Sequence, residues 1–430
     1  MLNALSNKII INKFYKLELS LKTGSDRITS KKFREIINSE CNIILEKINN
    51  NTYKFSRYIK KVVKKNRCVY SPTIRDRIVL DILKDCLIKK YSIIFPNKNI
   101  IIKNIISTLE CGMNYTVIRL DIEKFYDNIQ HNLLFNKLKN SSLLSNSEYL
   151  LIKRSLKQSK KGVLQGLPTS NCLAEIYLES FDSDIRLIDP RLCYYSRYVD
   201  DILLIFNSTL LKSETDNIMR IINNNLSKLN LSLNSDKSSV IRLVNNSNFD
   251  YLGYNFNILQ NNKPVKATLT ISTNKIKQIK SKIDYYFYQY KLNNNFNLLY
   301  QRLSFITSYC YGFKFKQYNT SEDNDAESYY NIEKICFGVF SSYYFSDNIS
   351  FDNLNKHIKF RIKSNNFTPK QRKKLFMCKF NCVTPHVIEF HKFTNSQYLS
   401  LIRDIDNSYR EPTTKIRSTL IFDYFKYLNP

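Results

Sequence analysis

Residues 195–206 read YSRYVDDILLIF: two adjacent carboxylates, Asp200 and Asp201, set among apolar and aromatic neighbours. The pattern predicts two short strands with the aspartates at the tight hairpin between them. Like charges side by side repel, and burial without a counter-charge disfavours both ionised forms. A chain that keeps such a pair has to bring positive charge to it. Asp121 supplies the second clue, because it closes the strand-like run Tyr115–Ile122, which gives way to a turn and a helix. If the two segments are neighbours in one antiparallel sheet, three carboxylates converge on one point. Such a set can hold two divalent ions roughly 3.5–4 Å apart, the spacing that clamps the attacking and leaving oxygens in phosphoryl transfer. Mg²⁺ is the expected ion, with Mn²⁺ as a substitute, because a hard cation takes oxygen ligands and neutralises the acids. Ile122 follows Asp121, and its backbone carbonyl offers a further metal oxygen without added charge.

Charge says what the substrate class should be. Lys and Arg total 66 against 37 Asp and Glu, a net charge of +29 on 430 residues. An excess of that size points to a polyanionic partner, and nucleic acid is the commonest one. The plain alternative is a solvated basic surface arising from codon usage rich in Lys, Asn and Ile. Ten scattered cysteines form no dense framework, so reduced thiols and a cytoplasmic protein are expected. The first twenty residues show no secretory signal pattern, and no run of apolar residues is long enough for a membrane span.

Periodicity divides the chain into a helical N-terminal region at 1–60, a mixed segment at 61–255, a segment at 256–320 opening on a basic amphipathic helix, and a mostly helical remainder at 321–430. Within the mixed segment, GVLQGLPTSNCLAEIYLESF carries a loop that opens a long helix, with Thr169, Ser170 or Asn171 as its N-cap. The acidic, polar stretch NTSEDNDAES at 319–328 is the expected linker.

YVDD (Tyr198–Asp201) matches the Tyr-x-Asp-Asp signature of reverse transcriptases, and it does not stand alone. LDIEKFYDNI resembles their first metal-binding motif, and QGLPTSNCLAEIYL is similar to the glutamine-glycine motif before a long palm helix. LSLNSDKSSVI resembles the next motif with its lysine, and YLGY (Tyr251–Tyr254) the primer-grip region. KNRCVYSPTIRDRIVLDIL is similar to the fingers segment of group II intron-type enzymes. The resemblance implies an α+β right-hand polymerase fold: fingers, a palm with an antiparallel sheet, a helical thumb, and here a helical C-terminal extension. It implies an RNA-directed DNA polymerase in which Asp121, Ile122, Asp200 and Asp201 hold two metal ions and Lys237 protonates the leaving pyrophosphate. An aromatic at Tyr126 would close the space of a ribose 2′-hydroxyl and so favour deoxynucleotides, although core packing alone would also place it there. Gln165 and Gly166 would bring backbone close to the nascent base pair, with Pro168 stiffening the loop. Lys65 and Arg67 are the residues expected to grip the triphosphate, with Lys64 and Arg75 as alternatives, and Arg197 is expected to pair with backbone or a template phosphate.

Lys275, Lys277, Lys280 and Lys282, interleaved with isoleucines, could track a duplex backbone from the thumb's position. Cys378, Cys382, His386 and His391 lie close in sequence, but their steps and the intervening Pro385 depart from zinc spacing, and no metal is expected there. Intron-like fingers and palm, without a retron thumb signature or a mobility domain, resemble the bacterial defence-associated reverse transcriptases of the unknown-group and abortive-infection lineage. That subgroup implies an RNA template, namely a structured non-coding RNA, with dNTPs as substrates and DNA as product. A mobile-element enzyme of group II intron or retron type is the alternative within the family. A catalytically silent or template-independent nucleic-acid-binding protein is the alternative outside it.

Overall fold

The helical spacing at the N-terminus produces α1 (Asn7–Glu18), α2 (Ser30–Glu35) and α3 (Ile37–Asn49), which bury Ile10, Phe14, Phe33, Cys41 and Ile44. A hairpin of β1 (Ile59–Val63) and β2 (Arg67–Ser71) follows. Thr73 then caps α4 (Ile74–Lys90), its hydroxyl accepting from the Asp76 amide. This computed structural model describes residues 5–18, 23–63, 67–243, 247–259, 266–315, 332–381, 383–410 and 417–428. They fall into two units, one within Met1–Val244 and one within Asn245–Lys316 and Tyr330–Pro430. The expected linker at 319–328 lies outside the described residues.

In the first unit, α4 is buried along most of its length, so its acids need internal partners. Asp81 takes Lys13 at 2.8 Å, and Asp76 accepts from the Tyr53 hydroxyl at 2.8 Å and the Ser56 amide at 2.9 Å. α5 (Lys98–Leu109) leads into β3 (Tyr115–Asp121), and the short α6 (Phe125–Asn128) precedes α7 (His131–Asn140) and α8 (Asn146–Ser155). The long α9 (Ser170–Arg186) leads to β4 (Leu192–Tyr198) and β5 (Asp201–Phe206), then α10 (Lys212–Lys228) and β6 (Ser239–Leu243). The four strands form one antiparallel sheet in the order β4-β5-β3-β6, so the two strands bearing carboxylates lie side by side at its centre. Ile202–Phe206 of β5 and Leu173, Tyr177 and Phe181 of α9 are buried in this unit.

The second unit opens on an antiparallel sheet of β7 (Asn248–Tyr251), β8 (Tyr254–Leu259) and β9 (Lys266–Ile271). Tyr251 and Tyr254 of YLGY flank its first turn and are fully buried. The basic helix α11 (Thr273–Asn293) buries Ile276, Ile283, Tyr286 and Phe287 and leaves Lys277 and Lys282 exposed, while Lys280 donates to Asn353 at 2.7 Å. After α12 (Phe296–Thr307) come β10 (Tyr309–Phe315), β11 (Ile332–Phe337), α13 (Val339–Ser342), α14 (Asn348–Lys363), α15 (Pro369–Phe376), β12 (Val387–Glu389), α16 (Asn395–Ile405) and α17 (Arg417–Leu428). A sheet in the order β11-β10-β12 therefore interrupts a region expected to be helical. Its strands are far apart in sequence, and β12 has three residues, too few for a period-2 signal. No helix among the described residues is long and apolar enough to cross a membrane.

One buried ion pair in the first unit carries a stability prediction. Glu148 is 1% exposed, completes a capping box with Ser145, and accepts from Lys90 at 2.7 Å and the Cys86 thiol at 3.0 Å. Burial alone would raise its pKa, but these donors win and hold it down at about 2. A depressed carboxylate adds stability above its ordinary 4.5 and loses it as pH falls through the folded value. E148A should therefore cost about 2–3 kcal/mol in urea unfolding at pH 7, with the difference from wild type shrinking as pH falls from 4.5 towards 2.

Candidate active site

Asp121 is the last residue of β3 and lies directly opposite Asp201, the first residue of β5. Tyr198 and Asp201 pair across a two-residue turn, Val199–Asp200, so Asp200 projects from the same sheet end. The Ile122 amide donates to the Asp200 carbonyl at 3.1 Å, and the Asn234 amide to the Asp121 carbonyl at 2.8 Å. Ile122 also bridges to Leu233. Backbone bonds thus fix the end of β3 on both sides.

Two cations meet the acids. Lys237, on a 3₁₀ turn at Ser235–Lys237, places Nζ 3.1 and 3.0 Å from the two oxygens of Asp121, which is 7% exposed. Arg119 reaches Asp201 Oδ1 from Nη2 at 3.2 Å. Burial raises the pKa of Asp200, and the charges of Asp121 and Asp201 add to it. Burial also raises that of Asp201, against the pull of Arg119. Among the described residues, no three His, Cys, Asp and Glu side chains are gathered into a group that could hold a metal ion. The acids share one sheet end without a ready-made cage. The donor types still suit a hard divalent ion: three carboxylates at one sheet end, with no sulfur or imidazole among them.

Tyr126, 9% exposed on α6, donates its hydroxyl to Asn171 Oδ1 at 2.8 Å. Asn171 is in the first turn of α9, behind Thr169 at the N-cap, so one of the three expected caps serves instead to hold the tyrosine. The Gln165 carbonyl accepts from the Tyr70 amide at 2.8 Å, and Gly166 has φ +98°. A Cβ on Gly166 would stand 2.9 Å from the Tyr70 carbonyl oxygen, so the close approach it permits here is to strand β2. Arg77 donates to the Gly166 carbonyl at 3.1 Å.

Of the expected triphosphate-gripping residues, Lys64 and Lys65 lie outside the described residues, and Arg67 opens β2 opposite Val63. Arg75 is committed elsewhere, pairing with Glu40 of α3 through Nη2 at 2.7 Å. Cys378 is buried, its thiol pushed up to about 12, and His386 meets the Ser308 hydroxyl at 2.9 Å. Cys382 lies outside the described residues. Sequence reasoning missed Arg119 and Asn171. Arg119 had a usable signal, since residues two apart on a strand share a face and Arg119 precedes Asp121 by two.

The first unit thus combines a central antiparallel sheet with an acidic end and a long helix, α9, tied to it through Arg197. The profile of reverse transcriptase (RNA-dependent DNA polymerase) matches residues 41–256, half of the chain, and the protein belongs to that family, whose fold is the right-handed polymerase fold. Among solved structures it is similar to telomerase from Candida albicans in complex with a TWJ fragment of telomeric RNA. That likeness has a TM-score of 0.42 and 14% identity, and covers 93% of this chain and 64% of that one. It is also similar to apo telomerase from Candida tropicalis truncated from its C-terminal domain, at TM-score 0.37 and 15% identity over 57% of this chain and 63% of that one. The chain thus spans less than two thirds of either telomerase chain. No curated protein sequence matches it.

The Gly166 geometry is testable. G166A should strain a positive-φ position and push the loop off Tyr70, at about 1–3 kcal/mol. The expected outcome is a lowered melting temperature together with a loss of activity; an unchanged melting temperature would contradict the close packing.

Proposed function

We propose that the protein is an RNA-directed DNA polymerase whose chemistry takes place at the Asp121, Asp200 and Asp201 end of the palm sheet. The observation that carries this reading is the in-register pair of Asp121 and Asp201 at adjacent strand ends, in a chain of the reverse transcriptase family. Asp121, Asp200 and Asp201, with the Ile122 carbonyl, are the residues that would hold divalent metal. Bound there, Mg²⁺ would lower the pKa of an attacking hydroxyl and neutralise charge on the phosphates.

The chain's own groups have distinct tasks. Lys237, whose ammonium lies at Asp121, is the proton donor to the departing pyrophosphate. Arg119 screens Asp201 from its neighbouring acids. Tyr126, held by Asn171, is a wall against the sugar edge that a 2′-hydroxyl would need to pass. Lys277 and Lys282 of α11 supply backbone contacts to nucleic acid.

The finer reading rests on the sequence resemblance: the enzyme copies a dedicated structured non-coding RNA in antiphage defence. Its test is to sequence the nucleic acid that co-purifies with the protein; recovery of one RNA encoded beside the gene is the expected result, and random cellular RNA would overturn it.

Incorporation of dNTPs on co-purified RNA with Mg²⁺ tests the polymerase. D200A should lower it by roughly a thousandfold, equivalent to about 4 kcal/mol. Wild-type incorporation from D200A would overturn the site. Y126A should raise use of NTPs relative to dNTPs by at least about tenfold, and an unchanged ratio would return Tyr126 to a purely packing role.

A further inference from the structure

The turn that carries Asp200 is built from an unfavourable residue. Val199 has φ +63°, the left-handed region that a two-residue hairpin ordinarily gives to glycine, asparagine or aspartate at its first central position. A β-branched side chain is among the least suited to it. Something outside the turn has to hold it there.

The neighbouring arginine is placed to do so. Arg197, the penultimate residue of β4, is 8% exposed, and its guanidinium is spent on protein groups. Nε and Nη2 fork onto Asp182 at 2.8 and 2.7 Å. Nη1 and Nη2 fork onto Glu175 at 3.2 and 2.5 Å. Nη1 also donates to the Val199 carbonyl at 3.0 Å. Both carboxylates belong to α9, and the Tyr195 hydroxyl donates to Asp182 at 2.5 Å. Burial opposes the charge on Arg197, and the two acids more than restore it. The expected backbone pairing is therefore present, and no donor is turned out toward a template phosphate.

We propose that Arg197 is a positioning residue: clamped to α9 by Glu175 and Asp182, it grips the Val199 carbonyl and holds the strained turn that aims Asp200. The proposal rests on the polymerase reading of the same site and deepens it. Only a planar fork can serve both carboxylates and the carbonyl at once. Lysine in its place keeps a cation between the acids but loses the donor to Val199.

The test compares wild type, R197K, V199G and R197K/V199G. Glycine takes the positive φ without strain, so it removes the need for the grip. R197K should lower dNTP incorporation by about a hundredfold, with a modest change in melting temperature, and the double variant should recover at least about tenfold of that loss. A second readout needs no turnover: Tb³⁺, a hard oxygen-seeking ion, titrated by luminescence sensitised through nearby tyrosines such as Tyr198. R197K should weaken Tb³⁺ binding and V199G should restore it. A merely structural arginine predicts the reverse, a large drop in melting temperature and no rescue by glycine. R197K at wild-type rate and Tb³⁺ affinity, or a double variant no better than R197K in either readout, overturns the positioning role while leaving the polymerase reading intact. Wild-type protein that neither polymerises nor binds Tb³⁺ overturns that reading and the proposal with it.

Discussion

The candidate site depends on one strand register, the pairing of Asp121 with Asp201. A slip of one residue would turn a carboxylate to the other face of the sheet. The apolar pattern of β5 cannot prevent that slip, because every residue from Ile202 to Phe206 is buried and no face is distinguished. The register is set at the ends instead. At one end the Ile122 amide meets the Asp200 carbonyl. At the other, the buried Thr116 hydroxyl donates to the Ser208 carbonyl at 2.8 Å and accepts from the Leu210 amide at 2.9 Å. Polar bonds at the rims thus fix what the greasy middle leaves free.

Electrostatics makes the same site demanding. Three acids at one sheet end would repel one another, and among the described residues Arg119 of β3 and Lys237 of the 3₁₀ turn before β6 bring them positive charge from different elements. Each is a partial answer, since Asp200 and Asp201 remain harder to ionise than ordinary aspartates.

Much of the palm was legible because its signals are local. Strand, turn and carboxylate lie within a dozen residues in YSRYVDDILLIF, and the helical period from Ile74 becomes α4 almost residue for residue. What escaped depends on partners distant in sequence. Arg75 reads as a free cation beside a fingers strand, yet it is paired with Glu40, 35 residues earlier. The packing of Gly166 against Tyr70, almost a hundred residues earlier, has no local signal either. Asn171 reads as a helix cap, and its side chain is taken by Tyr126. The sheet of β10, β11 and β12 went unread because its partners are distant in sequence, Cys310 pairing with Phe337 and Tyr309 with Val387.

Helix α9 has a mechanical consequence. Its first turn holds Tyr126 through Asn171, and its later turns hold the aspartate hairpin through Glu175, Asp182 and Arg197. Asn171 and Asp182 are separated by about 16 Å of helix at 1.5 Å per residue, a length over which an α-helix behaves as a rod. Tyr126 and the aspartate hairpin are thus referred to the same helix. The spacing between Tyr126 and the aspartate hairpin is thereby set by one element that anchors both.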